Sequence, residues 1–136
     1  MGIVYADITL KNATDIKDCK RGLIKEQEIR QTTVAALVDT GAATLVINED
    51  HRQQLGLDTE DTYKARLADG SKQIYYYTEP VQIQWKNRKA TLQAILVPTA
   101  TEVLLGAIPL EAMDLIVNPS EQELVGAHGD EILFRI

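Results

Sequence analysis

The chain has 136 residues, 45% hydrophobic and 25% charged, enough apolar material for one domain to bury a core unaided. Its 20 acidic and 14 basic residues leave a formal charge of −6, which argues against nucleic acid or an anionic membrane surface as the main partner. The single cysteine, Cys19, excludes an internal disulfide and suits a reducing compartment; residues 1–10 have no basic stretch leading into an apolar run, and no run approaches membrane-spanning length, so a soluble cytoplasmic protein is expected.

Residues 3–10 alternate apolar and polar side chains and predict a half-buried strand. Residues 11–20 are polar and read as a turn-rich connection; residues 24–34 read as strand and run into an apolar segment ending at Asp39. Asn48, followed by Glu49 and Asp50, predicts a capped helix start, and Gly56 a close stop. Residues 63–67 and 73–77 flank Asp69-Gly70, a hairpin signal, because both turn positions need or tolerate positive φ. Pro80 interrupts the pattern, Val81, Ile83 and Trp85 alternate, Lys86-Asn87-Arg88 read as a polar turn, and residues 90–97 form a further strand ended by Pro98. Leu104-Leu105 read as a short strand, Gly106 as a turn, and the residues after it as a helix with Pro109 in its first turn. Residues 123–125 and 131–136 are the last strand candidates. The sum is one mostly-β domain over residues 1–136 with one or two short helices.

One residue stands out against this pattern. Residues 32–47 are almost wholly apolar, yet Asp39 lies in their middle, followed by Thr40-Gly41-Ala42-Ala43. An ionised carboxylate among apolar side chains must be paired, hydrogen-bonded or kept neutral. A structural acid that caps a turn through backbone amides would meet that need, and so would a catalytic one. The other candidates are weaker. His51 and His128 are far apart with no ligand spacing, Cys19 has no neighbouring base, and Ser71 lacks both a nucleophile elbow and a histidine partner. No metal or cofactor is expected.

The run "ALVDTGAATLVI", followed much later by "VLLGAIPLEAM", resembles the retropepsin-like aspartic proteases, the family of the retroviral proteases. With "ADGS" between them it is most similar to the single-domain prokaryotic members. The resemblance implies an all-β, closed-barrel acid-protease fold with one lobe per chain. It implies a catalytic loop at Asp39, Thr40 and Gly41, an apolar-apolar-glycine segment, Leu104-Leu105-Gly106, wrapped around it, and a flap at the Asp69-Gly70 hairpin. Substrate is then expected against Ala42, Ala43, Ala68, Asp69, Gly70, Ser71 and Leu105. Tyr75 and Tyr77, on one face by alternation, are divided between core and cleft wall.

The chemistry is consistent with those roles. Peptide hydrolysis without metal or covalent nucleophile needs one group to take a proton from water and another to polarise the carbonyl. Two carboxylates sharing one proton do both, since like charges in contact cannot both ionise. Thr40 offers a hydroxyl to brace the loop, Gly41 permits the turn, and Ala42 is small where substrate backbone must pass. The chain carries the motif once; Asp58-Thr59-Glu60 repeats two letters without the glycine. A shared-proton pair therefore requires a homodimer acting on a polypeptide substrate. Such a pair predicts a bell-shaped pH–rate profile with its optimum below neutrality. Retroviral enzymes usually carry an acid two residues after the motif glycine and an arginine directly after the later one. Here those positions are Ala43 and Ala107, both members of the pair being absent together, and the flap lacks a glycine-rich tip. A dimeric binding or assembly module that keeps the fold without useful turnover is the alternative.

Overall fold

The computed structural model describes residues 2–135. Strand β1 (Tyr5–Asn12) follows the alternation in its sequence: Ala6, Ile8, Leu10 and Asn12 are buried, and the residues between them turn away from the core. Asn12 ends the strand and caps the next element. Its Oδ1 accepts from the Asp15 N–H at 3.0 Å, starting helix α1 (Ala13–Lys20), while its Nδ2 donates to the Leu55 carbonyl at 2.8 Å. The expected turn-rich connection over 11–20 is thus the end of β1 and a helix, read wrongly because Ala13, Ile16 and Cys19 are the only apolar residues in eight. A 3-10 turn at Glu26–Glu28 then delays the strand expected from residue 24, and β2 (Gln31–Val38) begins only after it.

Strand β3 (Leu45–Ile47) leads into α2 (Glu49–Leu55) with the expected caps. Asn48 accepts from the His51 N–H at 3.0 Å, and Gly56 takes the left-handed conformation at φ 61°. The remaining elements are β4 (Thr59–Arg66), β5 (Lys72–Trp85), β6 (Arg88–Leu96), β7 (Leu104–Leu105), α3 (Ala107–Ala112), β8 (Leu115–Asn118) and β9 (Glu123–Gly126).

The pairings close on themselves. β1 lies antiparallel to β2, β2 parallel to β7, β7 antiparallel to β3, β3 parallel to β6, β6 antiparallel to β5, and β5 antiparallel to β1. β4 joins only β5, and β8–β9 form a separate antiparallel pair. This is the expected all-β closed barrel, with three short α-helices among the described residues rather than one or two. Ile8, Leu10, Leu45, Ile47, Val81, Ile83 and Leu105 fill its interior. No helix among the described residues is long and apolar enough to cross a membrane.

Three further expectations need correction. Arg88 does not belong to a solvated turn: it opens β6 and is 1% exposed. Its guanidinium donates to the carbonyls of Met113 at 2.9 Å and Asp114 at 2.6 Å, and to those of Gly129 and Glu131. This fork pulls the chain after α3 onto the barrel and creates β8, where sequence alone suggested only helix. Residues 131–135 form no strand; Glu131 makes an isolated bridge with His128, and the Leu133 N–H is taken by the Asp114 carboxylate at 3.1 Å. Ile136, the end of that expected strand, lies outside the described residues.

Candidate active site

β2 delivers Asp39 to a tight loop at the barrel's end. Parallel pairing sets Val38 beside Leu105, and the Asp39 N–H donates to the Leu105 carbonyl at 3.0 Å. The Ala42 N–H closes the turn on the Asp39 carbonyl at 3.0 Å, and the Gly41 N–H donates to Asp39 Oδ1 at 2.9 Å. The carboxylate is therefore oriented by its own loop. It is only half-buried, and Thr40 and Gly41 beside it are exposed. The apolar flanks turn into the barrel and leave the acid at its rim, not at its heart. The Thr40 hydroxyl has no hydrogen-bond partner among the described residues, so the brace expected within its own loop is not formed.

The later glycine segment wraps this loop. Gly106, Ala107 and Ile108 donate their N–H groups to the carbonyls of Thr44, Ala42 and Ala43 at 3.1, 2.9 and 2.9 Å. Amides at the start of α3, which have no partners within the helix, are thus used up by the loop. Leu105 needs correction as a substrate contact. It is fully buried in the barrel core, and it is its carbonyl that holds the loop.

Ala43 and Thr44 open onto an apolar recess of about 330 Å³, walled by Tyr63, Tyr77, Leu92, Ile95 and Ile108. Tyr63 and Tyr77 meet edge to face with centroids 5.5 Å apart. A row of directly paired residues crosses the sheet toward this recess: Tyr5, Leu37, Leu104, Val46, Ile95 and Tyr77. At its far end the Tyr5 hydroxyl donates to the Glu102 carboxylate, which raises the Tyr5 pKa. Tyr75 and Tyr77 are half-buried while Tyr76 is exposed, as alternation predicts.

The hairpin forms as expected, with Tyr63 opposite Tyr75 and Arg66 opposite Lys72. The Leu67 N–H donates to Ser71 at 2.8 Å, and Gly70 sits at φ 86°, a value only glycine adopts freely. Asp69 Oδ1 accepts from the Ser71 hydroxyl and N–H, which lowers the Asp69 pKa. Ala68, Asp69, Gly70 and Ser71 are all exposed, and no hydrogen bond joins them to residues 39–43 among the described residues. Sequence reasoning missed Tyr63, Leu92, Ile95 and Ile108 in the recess wall. Tyr63 could have been found from its position opposite Tyr75; the other three carried no signal beyond hydrophobicity.

The closed strand ring, the Asp-Thr-Gly loop and the glycine segment that clasps it define a retropepsin-like acid-protease fold. The family described as "gag-polyprotein putative aspartyl protease" matches residues 26–112. That is well over half of the chain, and the chain belongs to this family of aspartyl proteases. A search of curated proteins found no match.

Proposed function

We propose that this chain is an aspartic endopeptidase that works as a homodimer, with Asp39 of each copy meeting at the two-fold axis and sharing one proton. One observation carries the reading. The single Asp-Thr-Gly acid is half-exposed at the barrel rim, yet its carboxylate is oriented by Gly41 and its backbone is locked by Leu105. A structural cap would need no such position, whereas a second copy can reach an acid at the rim. The ionised member of the pair takes a proton from water and the protonated one polarises the scissile carbonyl. Thr40, exposed beside it, has its hydroxyl free for the other copy's loop.

Substrate backbone would pass Ala42 and Ala43, an apolar side chain would enter the Tyr63–Tyr77 recess, and the tip Ala68-Asp69-Gly70-Ser71 would cover it. The exposed Ile3, Tyr5, Ile132, Leu133 and Phe134 supply apolar surface for the dimer. The whole chain would form one such domain, and its composition suits the cytoplasm. The test is incubation with an unfolded polypeptide across a pH series, alongside Asp39→Asn. Cleavage with an acidic optimum, lost in the variant, is expected. A wild-type dimer that binds the polypeptide but leaves it intact at every pH would favour the binding-module reading instead.

A further inference from the structure

We propose that the outer face of the flap hairpin is a docking surface for an acidic polypeptide segment. β6 reaches β5 only from Tyr76 onward, so among the described residues Tyr63–Arg66 and Lys72–Tyr75 have only each other as ladder partners. A two-stranded ribbon of this kind is marginally stable by itself. Alternation turns Tyr63, Ala65 and Tyr75 toward the cleft, while Lys64, Arg66, Lys72, Ile74 and Tyr76 point outward and are exposed. Arg66 and Lys72 face each other directly, and Lys64 lies on the same face opposite Ile74.

Like charges directly opposed on a ladder destabilise it. Charged side chains do protect exposed strand edges from wrong pairing, but a pair of opposite sign would protect equally and add stability. The same-sign choice therefore calls for another reason, and a bound anion supplies one. Asp69, the acid at the tip, is engaged by Ser71 and does not answer these cations. An extended segment with spaced carboxylates would relieve the Arg66–Lys72 repulsion and cover Ile74, 58% exposed, stopping short of Tyr76, which lies beside Glu49 and Asp58. The chain's net charge of −6 disfavours a nucleic acid, whose long polyanion would meet that field along its length. The inference concerns the outer face and stands whether or not Asp39 is catalytic.

The experiment is fluorescence anisotropy with a labelled peptide of alternating glutamate and threonine, at neutral pH. Binding is expected to weaken by at least about tenfold in Lys72→Glu and with a comparable rise in salt, and to vanish when glutamine replaces glutamate. Lys89→Glu, the same charge change on an exposed residue of β6 away from the hairpin, should leave it unchanged. Without peptide, Lys72→Glu should also raise the melting temperature, because Arg66 would then face an acid. Equal affinity in Lys72→Glu, equal loss in Lys89→Glu, a lowered melting temperature, or tighter binding of an oligouridylate than of the peptide would each overturn the proposal.

Discussion

The Asp39 N–H donates to the Leu105 carbonyl at 3.0 Å, and the residue after Leu105 presses so closely on the same loop that only glycine fits. A Cβ on Gly106 would lie 2.5 Å from the carbonyl oxygens of Ala42 and Thr44 and 2.8 Å from the Thr44 nitrogen. All three are backbone atoms and cannot rotate aside. Gly106→Ala should therefore destabilise the protein by about 2–4 kcal/mol and remove cleavage by displacing Asp39. Urea denaturation with a parallel activity assay checks both; native stability in this variant would mean that the loop tolerates a wider separation.

Asp39→Asn keeps the size of the side chain and an oxygen for the Gly41 N–H. Stability should change by no more than about 1 kcal/mol, while peptide cleavage falls to background. Retained cleavage would remove Asp39 from the mechanism.

Arg88→Met fills most of the buried volume but leaves four carbonyls, on Met113, Asp114, Gly129 and Glu131, without their donor. A loss of about 2–4 kcal/mol is expected. Arg88→Lys should recover only part of it, since one ammonium cannot span the four acceptors. Equal stability of the Lys variant and the wild type in thermal melts would show that charge alone matters.

Acid should loosen the same region. The His128 imidazole, with help from the Leu133 N–H and the Arg88 charge, holds the Asp114 carboxyl below its ordinary range; Arg30 does the same for Asp15. A carboxyl depressed in the folded state contributes fully above its unfolded value, about 3.9, and that contribution is lost as pH falls through the folded value. The melting temperature should thus hold down to about pH 4 and decline below it. Asp114→Asn should melt lower than wild type at neutral pH, and the gap should close in acid. A gap that stays constant with pH would assign the pair no role in acid stability.

If Ile132, Leu133 and Phe134 help to form the dimer, Phe134→Asp should shift the protein toward monomer in sedimentation and reduce activity in step. An unchanged dimer would move the interface elsewhere.

Much of this architecture was legible beforehand because local chemistry and final environment agree. Asn48 and Gly56 cap α2 wherever it packs, and Asp69-Gly70 turns a hairpin without outside help. The legibility failed where a distant partner decides. The buried fate of Arg88 depends on four carbonyls 25 or more residues away, and β8 follows from that anchor. Helix α1 is set by Asn12, a strand residue doing two tasks at once. Around Asp39 the loop was readable, but not the exposure of its acid, because apolar flanks indicate the barrel without saying on which side of it the turn emerges.

β5 runs 14 residues from the flap into the barrel wall, and its ladder with β6 slips between Tyr77 and Pro80. Within the slip, the buried Thr78 hydroxyl receives the Ala94 N–H at 3.1 Å, and Pro80 has no N–H to offer. Beyond this slip the strand is clamped on both sides by β1 and β6; before Tyr76 it is held on one side only. The strand is thus a lever with a fixed end and a free end, and Thr78–Pro80 is its fulcrum. Opening of the hairpin about this point would strip only the short Tyr76–Tyr77 ladder from β6 and leave the pairing of β5 with β1 intact.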